Sequence, residues 1–278
     1  FDDMWAQLEE RVPSMQRTEP DTWNGGLTRF GMPKGVKAVF RRRFLQLRQE
    51  PSIHACFASI LETDDIVCGH DRWLLHRPTR NVNGANRTEW ETQRNIHLDL
   101  NPWEYANDKA VAEVNQRLSL LRYSNPQSFV SENNDVHKSM GRCVQGILNL
   151  RDISIAENGG TIIVPGSHKT FEHWAKYGGL DKRQKASGPM QYKVGNTDPL
   201  QSLAQHIPMR AGSLLIWDQR CVHGSIPNKS QHFRAAIPIR FFDARILRSN
   251  RARAKERAAA IRQQIEFEGF TEALTDSG

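Results

Sequence analysis

The sequence predicts a mainly β protein whose strands form one sandwich or barrel flanked by helices. Three observations support this fold class. The first 65 of the 278 residues read as helical, because apolar residues recur at helical spacing. From about residue 67, short apolar runs alternate with Gly, Pro, Asn and Asp clusters, which is typical of strands joined by turns. The residues after 243 again have a helical composition.

The N-terminal region contains one well-marked helix, predicted over residues 51–62. Its apolar residues follow a 3-4 spacing that forms one buried face, made of Ile53, Cys56, Phe57, Ile60 and Leu61. A basic helix is expected before it, at about 36–47. The arginine run 41–43 within that helix is expected to be a solvated face.

Six short apolar runs are predicted to be strands, and they lie at 72–76, 143–150, 160–165, 204–209, 213–218 and 233–242. Segment 102–142 is polar and too long for an ordinary loop, so it is predicted to be an insertion that acts as a lid or pocket wall. The stretch 244–268 is predicted to be a charged helix with a solvated surface. We therefore expect one domain over 1–278, with a helical segment over 1–65, a β core over 66–243 and a terminal helix.

Composition narrows the function only slightly. The chain has 38 basic and 31 acidic residues, and a net charge of +7 suits an anionic small molecule as well as nucleic acid. The four cysteines show no C-x-x-C spacing, which predicts buried free thiols in a reducing compartment. No run of 18 apolar residues and no secretory segment is found, so we expect a cytoplasmic protein without a membrane partner.

One polar pair in the predicted β core has the spacing of metal ligands. His97 and Asp99 lie in the alternating segment 95–100, and residues two apart leave the same face of a strand. An imidazole and a carboxylate on one face supply two corners of a facial metal triad, and a distant histidine can supply the third. By itself the pair is a weak signal, because a hydrogen-bonded strand pair has the same spacing.

A second group of polar residues follows the predicted strand 213–218. His223 precedes Arg234 by 11 residues, with a Pro-Asn turn at 227–228 between them. If two antiparallel strands are joined by that turn, Arg234 lies near His223, and its guanidinium can bind a carboxylate through two parallel hydrogen bonds. Ser225 shares a face with His223 and can donate its hydroxyl to the same carboxylate.

Three motifs in order resemble a known family, the phytanoyl-CoA dioxygenase (PhyH-like) group of iron(II)/2-oxoglutarate oxygenases. The most specific is Glu-Asn-Gly-Gly through Pro-Gly-Ser-His at 157–168. The second is His223-Gly-Ser followed by Asn228 and Arg234, and the third is the His97-x-Asp99 pair. The resemblance covers roughly residues 72–242.

The resemblance implies a double-stranded β-helix (jelly-roll) core and an enzyme that uses Fe(II), 2-oxoglutarate and O₂. It implies that the iron ligands are His97, Asp99 and His223. It also implies that the 2-oxoglutarate-binding residues are Arg234, Ser225 and, as a polar residue facing the site, Gln145. The long segment between Asp99 and Cys143 departs from the family.

The same resemblance bears on the reaction. Family members that halogenate have a small residue in place of the carboxylate ligand, whereas this sequence has Asp99. Hydroxylation or desaturation of a small organic substrate is therefore expected, with release of succinate and CO₂. Pocket residues are expected at 77–86, at 102–142 and near Gln191. The substrate and the oligomeric state stay open.

The Pro-Gly-Ser-His segment also has a purely structural interpretation. Ser167 can cap a helix expected at about 171–177. His168 is expected to be structural rather than a substrate contact. Trp103 and Trp217 are expected to form core or pocket wall.

Two alternatives remain at this point. An AlkB-type nucleic-acid demethylase would explain the six-residue offset of Arg234 and Arg240, but the gap from His223 to Arg234 is short for that family, and we do not expect a nucleic-acid partner. The other alternative is a metal-dependent isomerase or hydrolase, or a binding module, on the same jelly roll. In that case nothing requires Arg234 to lie near the metal.

Overall fold

The computed structural model describes residues 1–34, 40–105, 120–123, 127–132, 143–173, 192–245 and 250–267, with single positions between 109 and 116 and at 269. Most of the predicted insertion 102–142, Gln191 and much of the helix expected at 171–177 lie outside these residues. The lid therefore stays a prediction.

In the described residues, ten antiparallel strands form two five-stranded sheets. Their bounds are β1 Ile66–Gly69, β2 Leu74–His76, β3 Asn95–Leu98, β4 Val144–Asn149, β5 Gly160–Ile163, β6 Tyr192–Lys193, β7 Gln205–His206, β8 Leu214–Asp218, β9 His223–Ile226 and β10 Arg234–Asp243. The first sheet has the order β1-β10-β4-β8, with β2 also paired to β10, and the second has the order β6-β3-β9-β5-β7. The predicted jelly-roll class, mainly β with helices at both ends, is confirmed.

The strand pattern follows from side-chain chemistry. β4 is buried along its whole length, and β10 is buried at nine of its ten positions, as expected for strands covered on both faces. Helix α3 covers one face of this sheet, where the Phe57 and Phe241 rings lie 5.1 Å apart. The second sheet has its own apolar cluster, which includes Ile96, Leu98, Ile162 and Val222.

The helices are α1 Asp2–Arg11, α2 Arg42–Arg48, α3 Pro51–Leu61, α4 Gln127–Glu132, α5 Leu200–Leu203 and α6 Arg251–Phe267. The helix predicted over 51–62 is therefore present. The expectation that all of 1–65 is helical is wrong: between α1 and residue 34 the chain forms turns and one short 3-10 helix, Pro20–Thr22. Prolines at 13, 20 and 33 and glycines at 25, 26 and 31 explain this, because both residue types disfavour helix interiors.

Two further expectations need correction. Cys68 and Cys221 are buried, but Cys56 is exposed, because it lies on the solvent side of α3. The C-terminal helix is not simply a solvated surface. Arg253 and Arg257 are buried and both contact Glu132, since α6 packs against α4 and the first sheet.

None of the described helices is both long and apolar enough to cross a membrane.

Candidate metal centre

Two neighbouring strands bring the histidines of the predicted triad together. In the antiparallel pair β3–β9, His97 lies directly opposite His223, so both side chains leave the same face. Gly224 makes this pairing possible, because a Cβ atom at that position would lie 1.5 Å from the Asn95 carbonyl oxygen. The glycine of the His-Gly-Ser motif is therefore a requirement of the close approach of the two strands.

Asp99 lies just beyond the end of β3, and its carboxylate lies between the two imidazoles. Its Oδ1 is 3.3 Å from His97 Nε2, and its Oδ2 is 3.5 Å from His223 Nε2. One potential ligand atom from each of the three residues lies within 4.8 Å of the other two. Two imidazole nitrogens and one carboxylate oxygen on one side of a cavity are the donor set of a non-haem iron centre, so these residues fit that metal.

The electrostatics of the three groups also favour a cation. Burial opposes ionisation of Asp99, but its hydrogen bonds with His223 and His97 outweigh burial and hold its pKa well below the usual value. Burial would lower the pKa of His223, but its contact with Asp99 raises it. A positive charge is thus stabilised between these groups. His223 Nδ1 lies 2.9 Å from the Cys221 carbonyl oxygen, to which it donates, and this bond aims Nε2 at Asp99.

Gln145 reaches the same carboxylate from β4 in the opposite sheet. Its Nε2 donates a hydrogen bond to Asp99 Oδ2 at 2.6 Å. The role of Gln145 in binding 2-oxoglutarate, which the family resemblance implies, stays a prediction. In the structure its amide contacts a predicted metal ligand and fixes the orientation of that carboxylate.

Arg234 lines the same cavity, but the connection between β9 and β10 differs from the predicted one. A hairpin of two paired strands around residues 227–228 was expected, and this is wrong, because β9 and β10 belong to different sheets. The connection crosses from one sheet to the other and is held by Asn228, whose amide donates to the Arg77 carbonyl oxygen at 2.9 Å and whose own carbonyl oxygen accepts from Thr79 Oγ1. Arg234 therefore faces the metal-binding sheet from the opposite wall.

The guanidinium of Arg234 is buried, and the residue is only 1% exposed. Nη1 donates to His76 Nε2 at 3.1 Å, and Nη2 donates to Thr161 Oγ1 at 3.3 Å. Its Nε has no hydrogen-bond partner among the described residues, and none of the described carboxylates pairs with it. Burial lowers its pKa to about 10. A buried cation without an acidic partner is costly, so the site favours an anion.

The paired residues His97 and His223 form a row across the second sheet, here called the metal row. Ser225 lies in the next row on the same face of the sheet. It pairs with Asn95 on one side and with Thr161 on the other, and Thr161 is the residue that accepts from Arg234. Ser225 also lines the cavity that contains Arg234 and the triad. The structure thus places the two predicted carboxylate-binding residues on facing walls of one cavity.

The cavity has a volume of about 330 Å³. Trp217 lines it and packs on His223, with ring centroids 5.1 Å apart, in agreement with a pocket-wall role. Trp103 packs instead against Tyr192 in the apolar cluster of the second sheet. Residues 77–86 do not line this cavity, and Val130 is the described residue of 102–142 that does.

The Pro-Gly-Ser-His segment supports the metal row from behind. Ser167 was expected to cap a helix, but its hydroxyl donates to the Val164 carbonyl oxygen and accepts from the Val222 backbone N–H, both at 2.8 Å. It therefore ties the end of β5 to the residue before His223. His168 Nδ1 lies 3.8 Å from Cys221 Sγ, which agrees with a structural role.

Several residues of the cavity were not predicted from the sequence. His76 and Thr161 hold Arg234, and Arg72 and Lys193 add charge to the lining. Thr161 lies inside a quoted motif, so its position was a usable signal. The others become visible only once strand pairing is known.

The fold and the site resemble those of the non-haem iron(II) oxygenases that use 2-oxoglutarate. A family model described as phytanoyl-CoA dioxygenase (PhyH) matches residues 128–236. A Dictyostelium discoideum protein named "Putative phytanoyl-CoA dioxygenase" is 29% identical over 266 residues, which is 93% of this chain and 72% of that protein. The chain is therefore similar to the PhyH family, the resemblance that its three motifs carry.

One solved structure shares the fold, and a second is similar at a lower score. The GlcNAc-inducible protein GIG2 of Candida albicans superposes with a TM-score of 0.52 at 12% identity, over 87% of this chain and 58% of that chain. The epimerase SnoN, solved with Fe³⁺, α-ketoglutarate and nogalamycin RO, has a TM-score of 0.42 at 16% identity, over 72% of this chain and 59% of its own. This chain therefore spans less than two thirds of the length of both structures.

Proposed function

We propose that the protein hydroxylates or desaturates a small organic substrate, with O₂ consumed and 2-oxoglutarate converted to succinate and CO₂. One observation carries the proposal: the three converging ligand atoms and the buried Arg234 line the same cavity. The alternative of a metal-binding jelly roll without oxygenase chemistry gives no reason for that arginine to be there.

In this proposal His97, Asp99 and His223 hold Fe(II). With 2-oxoglutarate and O₂ bound, the iron supplies the oxidising power that breaks a substrate C–H bond. Gln145 keeps the Asp99 carboxylate turned toward the metal, and the Cys221 carbonyl oxygen keeps the His223 ring in place. The presence of a carboxylate at position 99 favours hydroxylation or desaturation over halogenation, as the family resemblance implies.

Arg234 binds the distal carboxylate of 2-oxoglutarate. Two of its five N–H groups are used by His76 and Thr161, which leaves Nε and one N–H on each Nη for a bidentate contact. Ser225, in the same row as Thr161, donates its hydroxyl to the same carboxylate. The predicted metal ligands and the Ser225–Thr161 pair would thus hold the two ends of the co-substrate.

The direct test is turnover of 2-oxoglutarate by the Fe(II)-loaded protein. Succinate should form with O₂ uptake, and a library of small organic molecules should contain compounds that stimulate it. With ¹⁸O₂, hydroxylation places label in both succinate and product, whereas desaturation labels succinate and removes two hydrogen atoms from the substrate. Asp99→Ala should abolish turnover, while His232→Ala, at an exposed position, should not. Succinate formation that is unaffected by Asp99→Ala would refute the proposal.

A further inference from the structure

A lysine lies beside the metal row, on the edge strand of the second sheet. Lys193 of β6 pairs directly with His97 of β3, which pairs in turn with His223 of β9. Residues directly opposite in antiparallel strands leave the same face of the sheet. Lys193, His97 and His223 therefore form one continuous row along the cavity wall, and Lys193 lines the cavity at its exposed end.

Lys193 lies next to a predicted metal ligand, because it pairs directly with His97. Lys193 forms no salt bridge with any residue that the structure describes. It lies in a different row from Ser225 and Thr161, which are the residues beside Arg234. The lysine is thus close to the metal ligands and separate from the anchor for the distal carboxylate.

The charges that line the cavity do not balance without a further anion. Asp71 and Arg72 form an ion pair with Oδ1 and Nε 3.4 Å apart, and they offset each other. Under the proposed function, Fe(II) is offset by Asp99 and one carboxylate of 2-oxoglutarate, and Arg234 is offset by the other carboxylate. Arg240 also lines the cavity and has an interaction partner of its own. Among the residues that the structure describes, Lys193 has no acidic counterpart.

The lining of the cavity also contains apolar side chains. Phe30, Met32, Val130 and Ile239 line the same cavity. A substrate with an apolar body and one charged end would match this arrangement, since pockets bind the body through apolar surface and orient it through a few polar groups.

We propose that the substrate is an organic anion, and that Lys193 binds its acidic group next to the metal. This inference rests on the proposed function and specifies the substrate class of that site. The acidic group is a carboxylate, a sulfate or a phosphate, because a lysine ammonium binds each of them as a point charge. The bond that is oxidised then lies near the acidic end of the molecule, within the reach of one lysine side chain from His97.

The test uses probes that share one chain and differ in the head group. Anaerobic protein loaded with Fe(II) and 2-oxoglutarate is titrated with hexanoate, hexyl sulfate, hexyl phosphate, hexanamide and hexanol, and the change in the visible absorption of the iron–2-oxoglutarate complex is followed. At least one anion should bind about five- to tenfold more tightly than the amide and the alcohol, the size expected of one charged hydrogen bond in a half-open site. The ranking of the three anions identifies the head group.

Variants then assign the preference to one residue. Lys193→Met should bring the affinities for anion and amide to within about twofold of each other, and Lys193→Arg should keep the preference. Lys255→Met, at an exposed position on α6, should behave as the wild type. Affinity for 2-oxoglutarate in the absence of probe should be the same in all four proteins.

Three other outcomes would each overturn either this inference or the proposed function. Equal binding of anions and neutral probes by the wild type, or no binding of the anions, overturns the inference while leaving the oxygenase intact. Loss of 2-oxoglutarate binding in Lys193→Met assigns the lysine to the co-substrate and also overturns it. If the wild type forms no iron–2-oxoglutarate complex at all, the proposed function itself fails.

Discussion

The carboxylate of Asp99 is held from two sides before any metal binds. Gln145 donates to Oδ2 at 2.6 Å from the opposite sheet, while the two imidazoles approach from the other side. Gln145→Met keeps the length of the side chain but removes the hydrogen bond. The affinity for Fe(II), measured by anaerobic titration, should fall about 10- to 100-fold, which is the usual effect of losing a group that orients a metal ligand.

The matched control is Gln205→Met. Gln205 lies exposed on β7, away from the centre, and this variant should bind Fe(II) as the wild type does. An unchanged affinity in Gln145→Met would show that the Asp99 carboxylate is oriented by something other than this amide.

His76, which contacts Arg234, makes the folding stability depend on pH. Its Nε2 accepts from Arg234, so the ring is neutral and its Nδ1–H points to Thr92 Oγ1, 3.2 Å away. Burial, and then the charge of Arg234, hold the pKa of His76 well below its ordinary value of 6.5. In the unfolded chain the ring takes up a proton below about pH 6.5, whereas in the folded protein it does not. Folding stability is therefore lost as the pH falls below 6.5.

His76→Gln should remove this dependence, because a glutamine carbonyl oxygen can accept from Arg234 without titrating. The free energy of unfolding, measured with denaturant from pH 8 to 5, should fall less steeply in the variant, by up to about 1.4 kcal/mol per pH unit below 6.5. His232→Gln, at an exposed site, should keep the wild-type slope. Identical slopes in His76→Gln and wild type would contradict a buried neutral His76.

The pairing of β3 with β9 brings the two histidines of the triad together, and this pairing depends on Gly224. Gly224→Ala would place a methyl group 1.5 Å from the Asn95 carbonyl oxygen, so the two strands must separate. We expect a loss of more than about 4 kcal/mol in unfolding free energy, an exceptional value for one methyl group, together with loss of Fe(II) binding.

Gly84→Ala provides the comparison for this substitution. Gly84 has a φ of +79° but open space around its Cα, so the substitution is strained without a collision. It should cost about 1 kcal/mol and leave Fe(II) binding intact. Similar losses in the two variants, measured by denaturant unfolding, would mean that the close contact in β3–β9 is not decisive.

Local sequence pattern predicted most elements but not how the strands are distributed between sheets. α3 follows from apolar spacing, and β4, β8 and β10 follow from apolar runs between turn residues. The pairing of β9 was misjudged, because a Pro-Asn turn looks the same whether the next strand joins its own sheet or crosses to the other. The contacts of Asn228 that direct the crossing involve residues 77 and 79, about 150 positions away, and no local pattern contains them.

Of the site residues, too, the sequence predicted those marked by a local pattern and not those that depend on strand pairing. His97, Asp99 and His223 could be proposed because two of them share a strand face and the third belongs to a recognisable motif. His76 and Lys193 could not, because each acquires its role through strand pairing: His76 lies opposite Arg234, and Lys193 lies opposite His97.

At the scale of the whole molecule, buried charges tie the C-terminal helix to the β core. Glu132 of α4 is 1% exposed and accepts from Arg253 and Arg257 of α6, while Arg257 also donates to the Cys68 carbonyl oxygen of β1. Glu132→Ala leaves two buried cations without this acid and should lower the free energy of unfolding by about 3–5 kcal/mol. Glu266→Ala, at an exposed position on α6, should change it by less than about 0.5 kcal/mol. Equal denaturation midpoints for the two variants would contradict a central role for this cluster.

Under the proposed function, one cavity binds both iron and 2-oxoglutarate, with Arg234 holding the distal carboxylate. Titration of 2-oxoglutarate into anaerobic, Fe(II)-loaded protein tests it most directly. Arg234→Ala should keep Fe(II) binding but weaken 2-oxoglutarate binding by about 2–5 kcal/mol, as expected for the loss of one partner of a buried charge pair. Arg234→Lys should recover some of this loss, and Arg262→Ala, exposed on α6, should match the wild type. Equal 2-oxoglutarate affinities in all four proteins would mean that Arg234 does not bind the co-substrate.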